Sequence, residues 1–194
     1  MTLSKRLIDV ALSSALLTLC LPFGLLIALA VKLDSPGPVL FRQRRIGFNG
    51  RPFHILKFRT MRVLEDGPVV VQVSQGDPRV TRVGQILREL SLDELPQLIN
   101  VLMGEMSLVG PRPHAAAHDD YYGRHIPNYG YRHQVRPGIT GWAQVNGARG
   151  PTPTLSDMQA RIDLDAWYVD HRSLTLDLVI LALTPLEIFQ SARE

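Results

Sequence analysis

The chain has 194 residues, with 21 lysines and arginines against 18 aspartates and glutamates, a net charge of +3 and a sequence pI of about 9.3. That length suits one domain with a modest core; a single cysteine, Cys20, excludes an intrachain disulfide, and the chain carries neither an internal repeat nor a low-complexity tail. Arginines cluster locally despite the small net charge, which points to an anionic partner: a lipid headgroup, a nucleotide or both.

Residues 10–31 carry no charge over 22 positions, enough helix to cross a hydrocarbon core of about 30 Å. Three readings compete. A signal peptide would use Lys5-Arg6 as its basic region and Ala28-Leu29-Ala30 as a cleavage-like site. The apolar stretch, however, exceeds the usual roughly 7–15 residues, and Lys32, Arg42, Arg44 and Arg45 follow at once. A spanning helix is the usual meaning of such a run. The third reading is a re-entrant hairpin, with Ser4 and Ser35 both facing the cytoplasm. Basic residues on both flanks draw both ends to that side, and Pro22 breaks the segment near its middle. Each half is then about a dozen residues, or roughly 18 Å of helix. On residues alone, the spanning and re-entrant forms stay open.

Asp34-Ser35-Pro36-Gly37-Pro38 ends that segment. A hairpin follows, with strands at 39–43 and 52–59 around Asn49-Gly50, a two-residue turn signal. Phe53, Ile55, Lys57 and Arg59 alternate onto one face, so that Lys57 and Arg59 can converge on one phosphate. Without further information, a solvated strand end is the stronger reading. Residues 64–78 form a variable excursion, with a short strand at 69–73 and a turn at Gly76-Asp77-Pro78.

Arg79, Arg82 and Arg88 run into two adjacent carboxylates, Asp93 and Glu94, at what reads as a helix start, and that helix should stop near Gly104. Arg112 lies beyond it. A helix N-terminus attracts anions, because its unbonded N–H groups point outward and its dipole favours negative charge. Carboxylates and guanidiniums together there suggest phosphate chemistry with a divalent metal. Ser91-x-x-Glu94 is equally a capping box, and on these residues alone that plainer reading is favoured. With Ser91 as the cap, Pro96 costs a hydrogen bond; with Asp93 as the cap, it costs little.

His114 and His118 stand four apart, the spacing of many zinc pairs, but Ala115-Ala116-Ala117 between them lacks a zinc-hydrolase glutamate. Substrate contact or packing suits them better. Pro137-Gly138 reads as a type II turn opening a glycine-rich stretch to Gly150. Within it, Trp142 can stack on a base or sugar, sit at a lipid interface or pack in the core. Leu155, Met158, Ile162 and Val169 share a helix face, with Arg161 and Asp165 nearby. The last helix, at 176–190, contains Pro185 and is too short to span a bilayer straight, so it should lie in the interface or pack against the amino-terminal segment.

Four motifs stand in order: Lys57-Phe58-Arg59-Thr60-Met61, Ser91-Leu92-Asp93-Glu94-Leu95-Pro96-Gln97, Gly110-Pro111-Arg112-Pro113 and Pro137-Gly138-Ile139-Thr140-Gly141-Trp142-Ala143-Gln144. In this the chain resembles the bacterial sugar transferases, the monotopic polyprenol-phosphate phosphoglycosyl transferases, over nearly its whole length. His114-Ala115 with His118, Tyr131-x-His133, Arg149-Gly150, Thr154-Leu155 with Met158, and Trp167-Tyr168 resemble the undecaprenyl-phosphate glucose phosphotransferase type. Leu21 stands where a serine commonly precedes the membrane proline, and Glu89-Leu90 stands where an arginine and a small residue often follow Arg88.

The resemblance implies an α+β monotopic membrane protein, a single catalytic domain over 1–194. Its parts would be a proline-broken re-entrant helix at 7–33, a small β-hairpin and several interfacial or packing helices. It implies transfer of a phosphosugar, glucose favoured, from a UDP-sugar to undecaprenyl phosphate, with UMP released. Asp93 would be the covalent nucleophile and Glu94 its catalytic partner, both near Mg2+, with Lys57, Arg59, Arg88 and Arg112 on the phosphates. Asp165 and Asp177 match acidic positions of the family pattern and could orient arginines or join the site. The expected place is the cytoplasmic face of the bacterial inner membrane. Expected partners are membrane lipid and the glycosyltransferases that follow in exopolysaccharide or glycoconjugate assembly, with no nucleic acid. The rivals are the same reaction on UDP-galactose or an N-acetylated UDP-sugar, a metal-dependent nucleotide-sugar hydrolase and a non-catalytic scaffold.

Overall fold

The computed structural model describes residues 2–62, 67, 71–74 and 76–191. Its first element, α1 (Leu3–Asp34), is 32 residues long, so it measures about 48 Å. The Thr2 side chain caps it by accepting from the Lys5 N–H, and the helix continues through Pro22. Most of its leucines are exposed, Leu19 and Leu25 among them, while Asp9, Ser13, Ile27 and Val31 are buried.

Both ends of α1 hold the same body. Near its start, Lys5 reaches Asp177 at 2.5 Å and the Val109 carbonyl at 3.1 Å. Arg6 donates to the carbonyls of Val101 and Leu102. Asp9 accepts from the Ser107 hydroxyl at 2.8 Å and the Leu108 N–H at 3.1 Å. Near its end, Ile27 and Val31 pack with Phe58 and Leu87.

The hairpin pairs β1 (Leu40–Ile46) with β2 (Pro52–Phe58), antiparallel, from Leu40 opposite Phe58 to Ile46 opposite Pro52. The connection differs from the expected two-residue turn. Asn49 and Gly50 do take left-handed backbones, at φ 55° and 72°, but inside a loop at 47–51 closed by the Gly47 N–H on the Arg51 carbonyl. Ladder pairing up to Ile46–Pro52, set by the buried Phe53 and Ile55, fixes the loop length. Of the expected strand at 69–73, residues 69 and 70 lie outside the described set, and 71–73 are irregular.

After α2 (Arg82–Glu89) a tight turn at Leu92–Glu94 leads into α3 (Gln97–Met103), which Gly104 ends in the left-handed conformation. A second small sheet pairs β3 (Ser107–Val109) in parallel with β4 (Gly138–Thr140). The pairing explains two glycines of the sequence motifs. A Cβ on Gly138 would stand 2.1 Å from the Gly110 nitrogen, and one on Gly110 would stand 2.3 Å from the Arg136 carbonyl oxygen. Any side chain at either position would push the two segments apart.

The remaining helices are α4 (Ala116–His125), α5 (Trp142–Val145), α6 (Leu155–His171) and α7 (Leu174–Ser191). A capping box between Thr154 and Asp157 starts α6. Its Met158, Ile162 and Val169 are buried as the spacing predicted, but Leu155 is exposed. The principal core joins Phe53, Ile55, Leu98, Val101, Met106, Leu108, Val109, Tyr168 and Ile180, so β2, α3, β3, α6 and α7 share it. Ile180 buries one side of α7, whereas Leu178, Val179 and Leu186 are exposed.

Candidate active site

Lys57 is the penultimate residue of β2, Asp93 and Glu94 lie on the turn before α3, and Arg112 follows β3. The fold brings these four together. Lys57 donates to a Glu94 carboxylate oxygen at 2.6 Å and stands 3.6 Å from Asp93. Arg112 grips Glu94 with both terminal nitrogens, at 2.5 and 3.1 Å, in the fork geometry that suits a carboxylate. Arg88, in the last turn of α2, donates to the Thr60 hydroxyl at 3.4 Å.

Glu94 is therefore not a capping residue. Ser91 has a left-handed backbone, φ 55°, with no side-chain cap contact, and Pro96 stands at the head of α3. The proline fixes the helix start two residues beyond the acid pair, and both Glu94 oxygens go to cations. The capping-box reading is corrected accordingly, as is the placing of Asp93 at the N-cap.

The two acids differ electrically. Burial pushes the Asp93 carboxyl up, against the pull of Lys57. Burial acts in the same sense on Glu94, but Arg112 and Lys57 outweigh it and hold that carboxyl well below the usual carboxylate range. Reciprocally, Glu94 holds the Arg112 proton more firmly. Glu94 thus holds its negative charge more firmly than Asp93 does. Among the described residues, the Asp93 carboxylate pairs with Lys57 at 3.6 Å and accepts no hydrogen bond.

Arg59 goes elsewhere. Strand β2 ends at Phe58, and the Arg59 guanidinium turns to the end of α1, where it donates to the carbonyls of Val31, Ser35, Pro36 and Pro38 at 2.7–3.3 Å. A cation there meets the negative end of the helix dipole. The expected convergence of Lys57 and Arg59 on one phosphate is corrected: once the strand stops, the period-two rule no longer applies, and four carbonyls occupy the guanidinium.

A buried network supports Arg112 from behind. Arg132 donates to the Arg112 carbonyl and forms an ion pair with Asp165 at 2.8 Å. Arg45 donates to the Pro113 carbonyl at 2.9 Å. Asp165 thus orients an arginine, while Asp177 serves Lys5 and the Tyr168 hydroxyl at the start of α1. His114 precedes α4 rather than lying on it, and its ring meets the Tyr129 hydroxyl at 2.6 Å and Arg132. Burial and then Arg132 hold its proton affinity well below the ordinary histidine value. His118 stacks edge-on against Tyr122. Neither histidine joins a metal group, and no cluster of three or more His, Cys, Asp or Glu is found among the described residues.

Trp142 is partly buried against the principal core, stacked on Trp167 at 4.6 Å between ring centroids, and Trp167 stacks in turn on His171. Sequence reasoning passed over Arg132 and the role of Ser91. The turn after α4 carried no periodicity to mark Arg132 as buried, and Ser91 read as a cap.

The sequence model of the family described as "Bacterial sugar transferase" matches residues 1–191. A UDP-glucose:undecaprenyl-phosphate glucose-1-phosphate transferase of Caulobacter vibrioides is 59% identical over 182 residues, covering 94% of this chain and 68% of that protein. The enzyme of the same name from Escherichia coli is 54% identical over 182 residues, covering 94% of this chain and 39% of its own length. A UDP-N-acetylgalactosamine-undecaprenyl-phosphate N-acetylgalactosaminephosphotransferase of Aeromonas hydrophila is 44% identical over 180 residues, covering 93% of this chain and 42% of that protein. The chain thus spans about two-fifths of the length of the last two.

Proposed function

Because the chain belongs to the bacterial sugar transferase family, we propose that it moves a phosphosugar from a UDP-sugar to undecaprenyl phosphate, releasing UMP, with residues 1–194 acting as one catalytic domain. The observation that carries this is the Asp93 carboxylate, held among the described residues by the Lys57 ion pair and by no hydrogen bond, beside Glu94 and Arg112. Glucose 1-phosphate is the favoured cargo, since the relatives at 59% and 54% identity are named for it.

Asp93 is the nucleophile. One of its oxygens attacks the phosphorus that bears the sugar; the bond from that phosphorus to the bridging oxygen breaks, and UMP leaves with the electron pair. An oxygen of the lipid phosphate then attacks the same phosphorus, the acyl-phosphate bond breaks, and Asp93 regains its carboxylate. Lys57, Arg88 and Arg112 offset the charge of diphosphate and incoming phosphate. Mg2+ suits the donor set: two hard carboxylates beside a phosphate are its usual company, and one or two suffice. Asp93 and Glu94 would hold it, and it would supply further neutralisation of phosphate charge.

The membrane role belongs to α1, read as a re-entrant helix on the cytoplasmic face of the inner membrane. Supporting this, Lys5, Arg6 and Asp9 bond to the same body that takes Val31 and Ser35 at the other end. A helix spanning the bilayer would put its two ends on opposite sides, out of reach of one body lying on a single side. Single cysteines at Ser4→Cys and Pro36→Cys, in a Cys20→Ser background, should both resist impermeant thiol reagents in intact cells and react once cells are permeabilised. Pro36 serves as reporter because it is exposed and Ser35 is buried. Labelling of either cysteine from outside would mean a spanning helix.

The reaction is tested by UMP release from a panel of UDP-sugars, with and without undecaprenyl phosphate. Lipid-dependent release that stops on chelation of Mg2+ is expected, fastest with UDP-glucose. Release that ignores the lipid would make the protein a nucleotide-sugar hydrolase, and no release with any sugar would leave a scaffold.

A further inference from the structure

The cations around Asp93 are not equally available to a substrate. Lys57 and Arg112 share the Glu94 carboxylate, and four carbonyls hold Arg59. Two guanidiniums at the site rest instead on neutral hydroxyls: Arg88 on Thr60, and Arg149 on the Ser91 side chain. We propose that Arg149 is a ligand of the nucleotide diphosphate, exchanging the Ser91 hydroxyl for a phosphate oxygen.

Three observations carry this. Arg149 reaches across 58 residues of sequence to Ser91, which places its charge two residues from Asp93. It is borne on a surface loop between Gly147 and Gly150, whose backbones are left-handed at φ 81° and 87° with open space where a Cβ would stand. Glycines on either side let the arginine swing without steric cost. Behind the loop, Arg161 donates to the Gly150 carbonyl at 2.7 Å, so the pivot has a fixed base. Burial and the nearby Arg112 both disfavour the charged form of Arg149. An incoming phosphate relieves that repulsion, and a charge-assisted bond to it is stronger than one to a hydroxyl.

The inference rests on the phosphosugar-transfer reading, so its test avoids turnover. UDP binding to the full chain in detergent with Mg2+ is measured by calorimetry. Arg149→Ala should weaken UDP about tenfold. Arg149→Lys should recover only part of that, because an ammonium lacks the fork. Ser91→Gly keeps the left-handed backbone while removing the competing acceptor, and should tighten UDP by about threefold. Wild-type affinity in Arg149→Ala, or a loss in Ser91→Gly equal to that in Arg149→Ala, would overturn the proposal and make the contact a loop anchor. Failure of the wild type to bind UDP would overturn it too. A chain that binds UDP through Arg149 yet releases no UMP from any UDP-sugar would refute the transfer reaction and leave the arginine's assignment standing.

Discussion

Asp93→Asn should lower UMP release by roughly 10⁴-fold or more, since under the proposed mechanism it removes the nucleophile, and should leave the folded chain at least as stable as the parent. The stability follows from burial. The folded-state proton affinity of Asp93 is raised by burial, so ionising it costs more in the folded chain than in the unfolded one. A carboxyl whose folded pKa exceeds its unfolded value loses stabilisation as pH rises from the ordinary carboxylate range through the folded pKa. The asparagine variant should therefore melt at or above the parent near pH 7, with the gap closing towards pH 4. Parent activity should fall on acidification earlier than an ordinary carboxylate would dictate, because a protonated Asp93 cannot attack. Mass spectrometry after incubation with UDP-glucose and Mg2+, without lipid, should show a phosphosugar adduct on the parent's Asp93 peptide and none on the variant. Near-parental turnover in Asp93→Asn would require another nucleophile or direct displacement.

Glu94→Gln should cost both stability and rate. The carboxylate that joins Lys57 to Arg112 is gone, and two largely buried cations face each other without it. Removing one member of a buried ion pair costs about 3 kcal/mol, and the partial exposure of Arg112 brings the expected loss nearer ~2 kcal/mol. The sign is opposite to that for Asp93. Glu94 is held below its ordinary value, so its stabilisation is present above the unfolded pKa and is lost as pH falls through the folded one. The stability difference between parent and variant should vanish in strong acid. Turnover should drop by about 10²–10³-fold. The acid limb of the rate profile should also move to lower pH, because Lys57 and Arg112 turn to Asp93 and favour its charged form. An unchanged melting temperature would mean that the three-residue network contributes nothing to the fold.

What the sequence could reveal was set by range. Local periodicity carried α6, whose buried Met158, Ile162 and Val169 follow helical spacing, and the Leu40–Phe58 hairpin, whose second strand alternates as far as the buried Phe53 and Ile55. It did not carry the loop length at Asn49-Gly50, which ladder pairing decides from both sides. Nor could it carry Ser91-x-x-Glu94. A capping box and an acid aimed at two distant cations have the same letters, and only the arrival of Lys57 and Arg112 from 37 and 18 residues away separates them. Arg59 failed for a related reason, since the end of α1 is a long-range partner that no strand pattern announces. The crowded glycines at 110 and 138 were visible as motif letters, but their cause, two backbones in contact, belongs to the parallel pairing alone. Resemblance to a family supplied the grouping of Lys57, Asp93, Glu94 and Arg112, which composition and spacing alone did not.

Lys57 and Arg59 stand two residues apart, the first on Glu94 and the second on carbonyls at the end of α1 and just beyond it. That separation is about 7 Å of extended chain, with no loop between to absorb movement. The end of α1 and the ammonium beside Asp93 are therefore anchored through one short piece of backbone, so a substitution that unseats Arg59 should also disturb Lys57.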